Sequence, residues 1–153
     1  MDLVLRETWL NGCRRPACIV KFAIGTQEVD IGKIKDVRNN DILPLAELKD
    51  SYHELTRKVA LSMHWISNNL NSHFVLKADE DTFVNLEELT KELQKYSTDL
   101  YMGYFSGRAR VKKSGQWAEP NWVICDHYLP NARGGGYILG KENVDYISQN
   151  IDR

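Results

Sequence analysis

Between positions 51 and 70, Tyr52, Leu55, Val59, Met63, Ile66 and Leu70 recur at steps of three and four. That spacing draws one apolar stripe and predicts an amphipathic helix. Asp50 or Ser51 can cap its start, and Asn68, Asn69 and Asn71 mark its end. Leu86, Leu89, Leu93 and Tyr96 predict a second such helix, opened by the capping-box-like Asn85-Leu86-Glu87-Glu88. Residues 6–10 read as the end of a first helix and 141–151 as a last one.

Short apolar runs predict strands between these helices. Residues 18–24 are β-branched and aromatic and stop at Gly25. Residues 41–45 form a short strand whose Pro44 points to an edge or an end. Further strands are predicted at 73–78, 100–105 and 122–124, and at 137–139 after a turn through Arg133-Gly134-Gly135-Gly136. The polar segment 32–40 predicts a short helix or loop, and 106–119 a basic, glycine-containing loop. Apolar runs alternating with helical patterns predict βαβ units and an α/β fold.

Composition narrows the class without naming a function. The 153 residues are 42% apolar and 27% charged, which fits one ordinary globular domain. Twenty basic and 21 acidic residues leave a net charge of −1, so nothing suggests nucleic acid or an anionic membrane as partner. No apolar stretch approaches the ~20 residues that span a bilayer, and the N-terminus lacks the form of a signal peptide. From the residues alone the chain reads as soluble and intracellular; a fragment of a longer protein would read the same way. Cys13, Cys18 and Cys125 have no C-x-x-C spacing and read as free thiols. The four histidines show no ligand spacing.

Candidate chemistry centres on Phe74-Val75-Leu76-Lys77-Ala78-Asp79-Glu80-Asp81. A strand ends in a lysine and then two aspartates that flank one residue. Ligands of open α/β sheets bind beyond the carboxyl ends of strands. Hard carboxylate oxygens there suit a divalent cation that also binds diphosphate oxygens. Asp79 and Asp81 are the candidate metal ligands, and Glu80 can turn toward a ribose hydroxyl. A capped, solvated turn explains the same residues. Asp50, Tyr52 and Lys58 lie at the start of the long helix, where an anion is favoured; a capped helix with a solvated face is the rival reading. Gly134, Gly135 and Gly136 let backbone approach a ligand or take positive φ, or form a plain turn. Arg108, Arg110, Lys112 and Lys113 are cations near Trp117 and Trp122. Rings stack on sugar faces and cations hold anionic groups, and a solvated loop again explains the charges.

Taken in order, these segments resemble the β-1,3-galactosyltransferases of glycosyltransferase family 31. The landmarks are Arg6-Glu7-Thr8-Trp9; Phe22-Ala23-Ile24-Gly25; Asp41-Ile42-Leu43; Asp50-Ser51-Tyr52 with Leu55-Thr56 and Lys58; Phe74 to Asp81 with Phe83; and Gly135-Gly136-Tyr137. A narrower likeness, to the branch that extends the glycosaminoglycan linker, rests on Phe105-Ser106-Gly107-Arg108, Arg110-Val111-Lys112, Cys125-Asp126 and Tyr128-Leu129-Pro130.

The resemblance implies a GT-A-like nucleotide-sugar-binding sandwich, with 1–153 forming one partial domain, incomplete at both ends. It implies Mn²⁺ and inverting transfer of galactose from UDP-galactose to a galactose 3-hydroxyl in the saccharide linker of proteoglycans. Another β-1,3-galactosyl- or N-acetylglucosaminyltransferase, or a non-catalytic fragment, is the alternative. The implied donor-binding residues are Arg6, Asp50, Tyr52, Lys58, Lys77, Glu80, Gly135 and Gly136; the implied metal ligands are Asp79 and Asp81. Arg108, Arg110, Trp117 and Trp122 are the acceptor candidates. The catalytic base is expected beyond Arg153, and a Golgi membrane anchor with a lumenal enzyme domain is expected for the parent protein. Glu80 stands where the family's acidic triplet is usually all Asp.

Overall fold

The computed structural model describes residues 2–14, 17–28, 41–115 and 117–152. The chain opens with α1 (Asp2–Glu7) and a 3₁₀ turn, Trp9–Gly12, then forms β1 (Phe22–Gly25) and β2 (Ile42–Leu45). A second 3₁₀ turn, Tyr52–Glu54, leads into α2 (Leu55–Asn69), followed by β3 (Phe74–Ala78) and α3 (Leu86–Leu93). The chain then makes β4 (Tyr101–Ser106), β5 (Asn131–Gly140) and α4 (Lys141–Gln149). The mixed α/β class expected from the pattern holds. The helix or loop expected at 32–40 lies outside the described residues.

One strand pair among the described residues has the parallel pairing that a βαβ unit requires; most of its connection lies outside the described residues. β1 and β2 are parallel, with Phe22 opposite Ile42 and Gly25 opposite Leu45. β5 lies between β3 and β4 and runs antiparallel to both. Periodicity identifies strands but not their partners or directions, so this insertion of the last strand was not legible.

The helix α2 serves two cores. Val59, Met63 and Ile66 pack with Leu139 and Val144, together with Val75 and Ile147. On its other flank, Leu61 and Trp65 pack against Leu43, Leu45 and Leu48. The predicted stripe captures only the first flank. Its leading members, Tyr52 and Leu55, are exposed rather than buried.

Capping follows the prediction at one helix and departs from it at another. The Asn85 side chain accepts the Glu88 amide at 3.2 Å. Neither Ser51 nor Glu54 makes a side-chain cap at the start of α2, and the Asp50 carboxylate is bound to Lys58. At the other end, the Asn68 and Asn69 amides donate to the His64 and Trp65 carbonyls, each at 2.8 Å.

Three further expectations are corrected. The glycine run belongs to the ten-residue strand β5 rather than to a turn. Residues 122–124 form no strand; Val123 and Ile124 are exposed, since β-branched residues without a neighbouring strand have no ladder to join. Cys13 and Cys18 are joined in a disulfide, whereas Cys125 is a free, exposed thiol. A spacing of five positions matches no metal motif and says little about pairing until a loop brings the two together. No helix among the described residues is long and apolar enough to cross a membrane.

Two outcomes test this packing. A Cβ on Gly140 would collide with the Thr98 carbonyl and stand 2.9 Å from the Leu100 nitrogen, whereas one on Gly134 meets nothing within 4 Å. Gly140→Ala is expected to lower stability by ~3 kcal/mol or more, because backbone cannot step aside, while Gly134→Ala leaves the thermal midpoint within a degree or so of the parent. Equal midpoints would contradict the packing at the β5–α4 junction.

The second outcome concerns α2 and α4. The Ser67 hydroxyl donates to Asp145 at 2.7 Å, and Lys141 lies 2.9 Å from the same carboxylate. The Ser67 hydrogen bond, and then Lys141, hold the Asp145 carboxyl below its ordinary value. A lowered folded-state value means full stabilisation above the unfolded pKa and loss as pH falls through the folded one. The melting difference between the parent and Asp145→Asn should therefore narrow on acidification; a gap independent of pH would count against the tie.

Candidate functional site

The acidic run leaves β3 at a junction with the glycines of β5. Ala78 pairs with Gly136, and the Asp79 amide donates to the Gly135 carbonyl at 3.0 Å. The Thr82 hydroxyl donates to that same carbonyl at 2.6 Å, and the Thr82 amide donates to the Asp79 carbonyl at 3.1 Å. The chain thus turns as soon as the strand ends. The Lys77 ammonium contacts both the Asp79 carboxylate and the Gly134 carbonyl, 6.0 Å from the Tyr137 ring centre. The Lys77 side chain is 14% exposed and that of Asp79 44%, so the cation is held inside while the carboxylate faces outward. Glu80 and Asp81 are exposed, with no side-chain partner among the described residues. Burial raises the Tyr137 phenol above its ordinary value, and the charges of Tyr101 and Asp79 add to the rise.

Gly135 and Gly136 lie in this junction as expected, but not for the reason of positive φ. Gly115 is the one glycine with positive φ among the described residues, at 87°. A Cβ on Gly135 or Gly136 would make an ordinary 3.8 Å contact with Thr82. Their smallness keeps the surface above the strand open.

Asp50 and Lys58 form a second group. Lys58 Nζ lies 2.8 and 3.0 Å from the two Asp50 oxygens, and the Gly25 amide donates to the same carboxylate at 3.4 Å. This ties the carboxyl end of β1 to the first turns of α2. Gly25 is required here, since a Cβ would stand 2.7 Å from the Leu48 carbonyl. Arg6 belongs to a third group. Its guanidinium pairs with Asp41 at 2.9 Å and lies over the Phe22 ring at 5.1 Å. These three residues line a cavity of about 240 Å³ with the Cys13–Cys18 disulfide.

The fourth group joins residues far apart in sequence. Tyr52, His53, Trp117, Glu119, Asn121 and Trp122 line a cavity of about 960 Å³. Arg108 and Arg110 do not line it. Lys112 and Lys113 support it from within the loop: Lys112 Nζ lies 4.3 Å from the Trp117 ring centre, and Lys113 Nζ donates to the Trp122 carbonyl at 2.9 Å. Tyr128 packs edge-on against Trp122, with ring centres 5.3 Å apart. Partial burial raises the Tyr128 phenol above its ordinary value, and Glu119 and Tyr52 add to that rise. The four cations thus differ in their surroundings: Lys112 and Lys113 contact the cavity's tryptophan residues, and Arg108 and Arg110 do not line the cavity. The contacts of Asp41 with Arg6, of Gly25 with Asp50 and of Thr82 with Gly135 were not legible, because each joins partners distant in sequence.

Among the described residues, no group of three or more His, Cys, Asp or Glu side chains stands ready to hold a metal ion. Asp79 and Asp81 supply two hard carboxylates, the donor type that a hard divalent cation takes.

The galactosyltransferase family model matches residues 3–153, and the chain belongs to that family. Mouse β-1,3-galactosyltransferase 6 is 39% identical, over 94% of this chain and 48% of that protein. Mouse β-1,3-galactosyltransferase 1 is 34% identical over 64% of this chain and 32% of its own length. The hydroxyproline O-galactosyltransferase GALT2 of Arabidopsis thaliana is 25% identical over 97% of this chain and 23% of its own length. The chain thus spans about half the length of the first of these relatives and less of the other two.

Replacing Lys77 tests the junction. Lys77→Met leaves the Gly134 carbonyl and the Asp79 carboxylate without their cation, and stability should fall by about 1–3 kcal/mol. The shift of a urea midpoint reads this directly. An unchanged midpoint would mean that the contact does not hold the strand end.

Proposed function

We propose that this chain forms part of a GT-A-type galactosyltransferase domain that moves galactose from UDP-galactose to the 3-hydroxyl of a galactose. The acceptor proposed is the saccharide linker between glycosaminoglycan and protein in proteoglycans. One observation carries the reading: Asp79, held by Lys77 beside the glycines of β5 and followed two residues on by the exposed Asp81, lies in a chain 39% identical to mouse β-1,3-galactosyltransferase 6.

In this reading Asp79 and Asp81 would hold Mn²⁺. When bound, the metal supplies positive charge against the negative charge that builds on the departing diphosphate. The chain's own residues do the positioning. Lys77 fixes the Asp79 carboxylate and keeps the end of β3 against Gly134. Gly135 and Gly136 would leave room for a phosphate close to the backbone, and the exposed Glu80 would turn to a ribose hydroxyl. Asp50 and Lys58 hold the β1–α2 junction, with Tyr52 two positions on, and Arg6 with Asp41 braces the segment before β1. Inverting transfer needs a base at the acceptor hydroxyl and a stabilised leaving group, and these residues serve the second requirement.

The Cys13–Cys18 disulfide supports a lumenal, oxidising setting such as the Golgi. A membrane anchor would lie in sequence flanking this chain.

Calorimetry of UDP binding to the full-length protein tests the assignment. Mn²⁺ should strengthen binding in the parent, and Asp81→Ala should weaken Mn²⁺-dependent binding at least about tenfold, as loss of one charged ligand implies. Glu80→Asp should bind as the parent does. Undiminished binding in Asp81→Ala would remove the carboxylate pair from the site.

A further inference from the structure

The cavity of about 960 Å³ contains chemistry that the donor reading leaves unused. Its size falls within the ~300–1,000 Å³ range of small-ligand sites. Trp117 and Trp122 line it from the loop after β4, and Tyr52 and His53 from the turn before α2. Its acidic side chain is Glu119, and Asn121 adds an amide. We propose that this cavity is a neutral pyranose subsite for the acceptor, with Glu119 as its specificity-determining residue. The identification of the ligand as an acceptor rests on the galactosyltransfer reading above; the sugar chemistry of the cavity does not.

The reasons are physical. A pyranose presents an apolar face of C–H groups to an aromatic ring and a rim of hydroxyls to polar side chains. Aromatic rings supply large apolar surface with few rotatable bonds, while a carboxylate and an amide accept and donate at the rim. Trp117 is 47% exposed, which leaves ring surface for a ligand even though Lys112 stands over the ring. The loop is already tied in place. The Glu119 amide donates to the Lys112 carbonyl at 2.8 Å, and the Trp122 amide donates to the Glu119 carbonyl at 3.2 Å. Gly115, with φ 87°, makes the bend at the cavity wall. Such preorganisation lowers the ordering cost of binding.

Charge selects against an anionic ligand. Glu119 lines the cavity, whereas Arg108 and Arg110 do not. Lys112 and Lys113 are engaged with the two tryptophans. Lys112 is a positioning residue for the Trp117 ring, and Lys113 ties the loop backbone at Trp122.

The test uses saturation-transfer NMR on the full-length protein with methyl β-D-galactopyranoside as probe, alongside calorimetry of UDP binding. The galactoside should receive saturation in the parent and in Arg108→Ala. Its signal should fall about tenfold in Trp117→Ala and in Glu119→Ala, as expected for loss of one stacking or charged contact, with UDP binding unchanged. Lys112→Ala should weaken the signal and Lys112→Arg restore it, a rescue that general damage to the fold would not show. A parent protein that binds no galactoside overturns the proposal. So does a signal that survives in both Trp117→Ala and Glu119→Ala, or one lost only in Arg108→Ala. Absent UDP binding in the parent would overturn the donor reading while the galactoside arms still report on the cavity.

Discussion

The contact of the Lys77 ammonium with Asp79 and with the Gly134 carbonyl sets where the acidic run leaves the sheet. A largely buried lysine is costly unless its charge is met. Here one side chain meets a carboxylate and a backbone carbonyl of the neighbouring strand. Breaking that pairing would release both the end of β3 and the glycines of β5. The antiparallel register makes the contact possible, because Ala78 lies opposite Gly136. The order β3-β5-β4 is therefore part of the site, not only its scaffold.

The turn at 50–54 links a second set of constraints. Asp50 looks inward to Gly25 and Lys58, whereas Tyr52 and His53 line the large aromatic cavity. The turn that fixes the helix start thus also presents an aromatic surface to the cavity. Lys112 and Lys113 do comparable work in the loop after β4, using cation–ring and carbonyl contacts to hold Trp117 and Trp122. Exposed charges spent in this way add little stability singly, but one stands over the Trp117 ring and the other ties the loop backbone at Trp122.

Much of this was legible wherever the signal is local. The helix α2 follows from six apolar residues at helical spacing, α3 from its Asn85 cap, and β3 from its apolar run before the lysine. The strand end carrying Asp79 and Asp81 was legible for the same reason. Whatever depends on distant partners was not. The glycine run reads as a turn by composition and becomes strand because β3 and β4 pair with it from both sides. Residues 122–124 read as a strand by β propensity and have no such neighbour. Asp50 reads as a cap and is drawn instead to Lys58, eight residues on. The disulfide, the second flank of α2 and the meeting of Tyr52 with Trp117 each require a fold that brings separate segments together.

The central claim is that the β3–β5 junction receives the metal and the diphosphate. Paramagnetic broadening by Mn²⁺ in the presence of UDP, read on assigned backbone amides, tests it directly. The amides of residues 79–82 and 134–136 should broaden first and most strongly, with those of 86–93 affected less. Broadening centred on another part of the chain, or none that depends on UDP, would contradict the account.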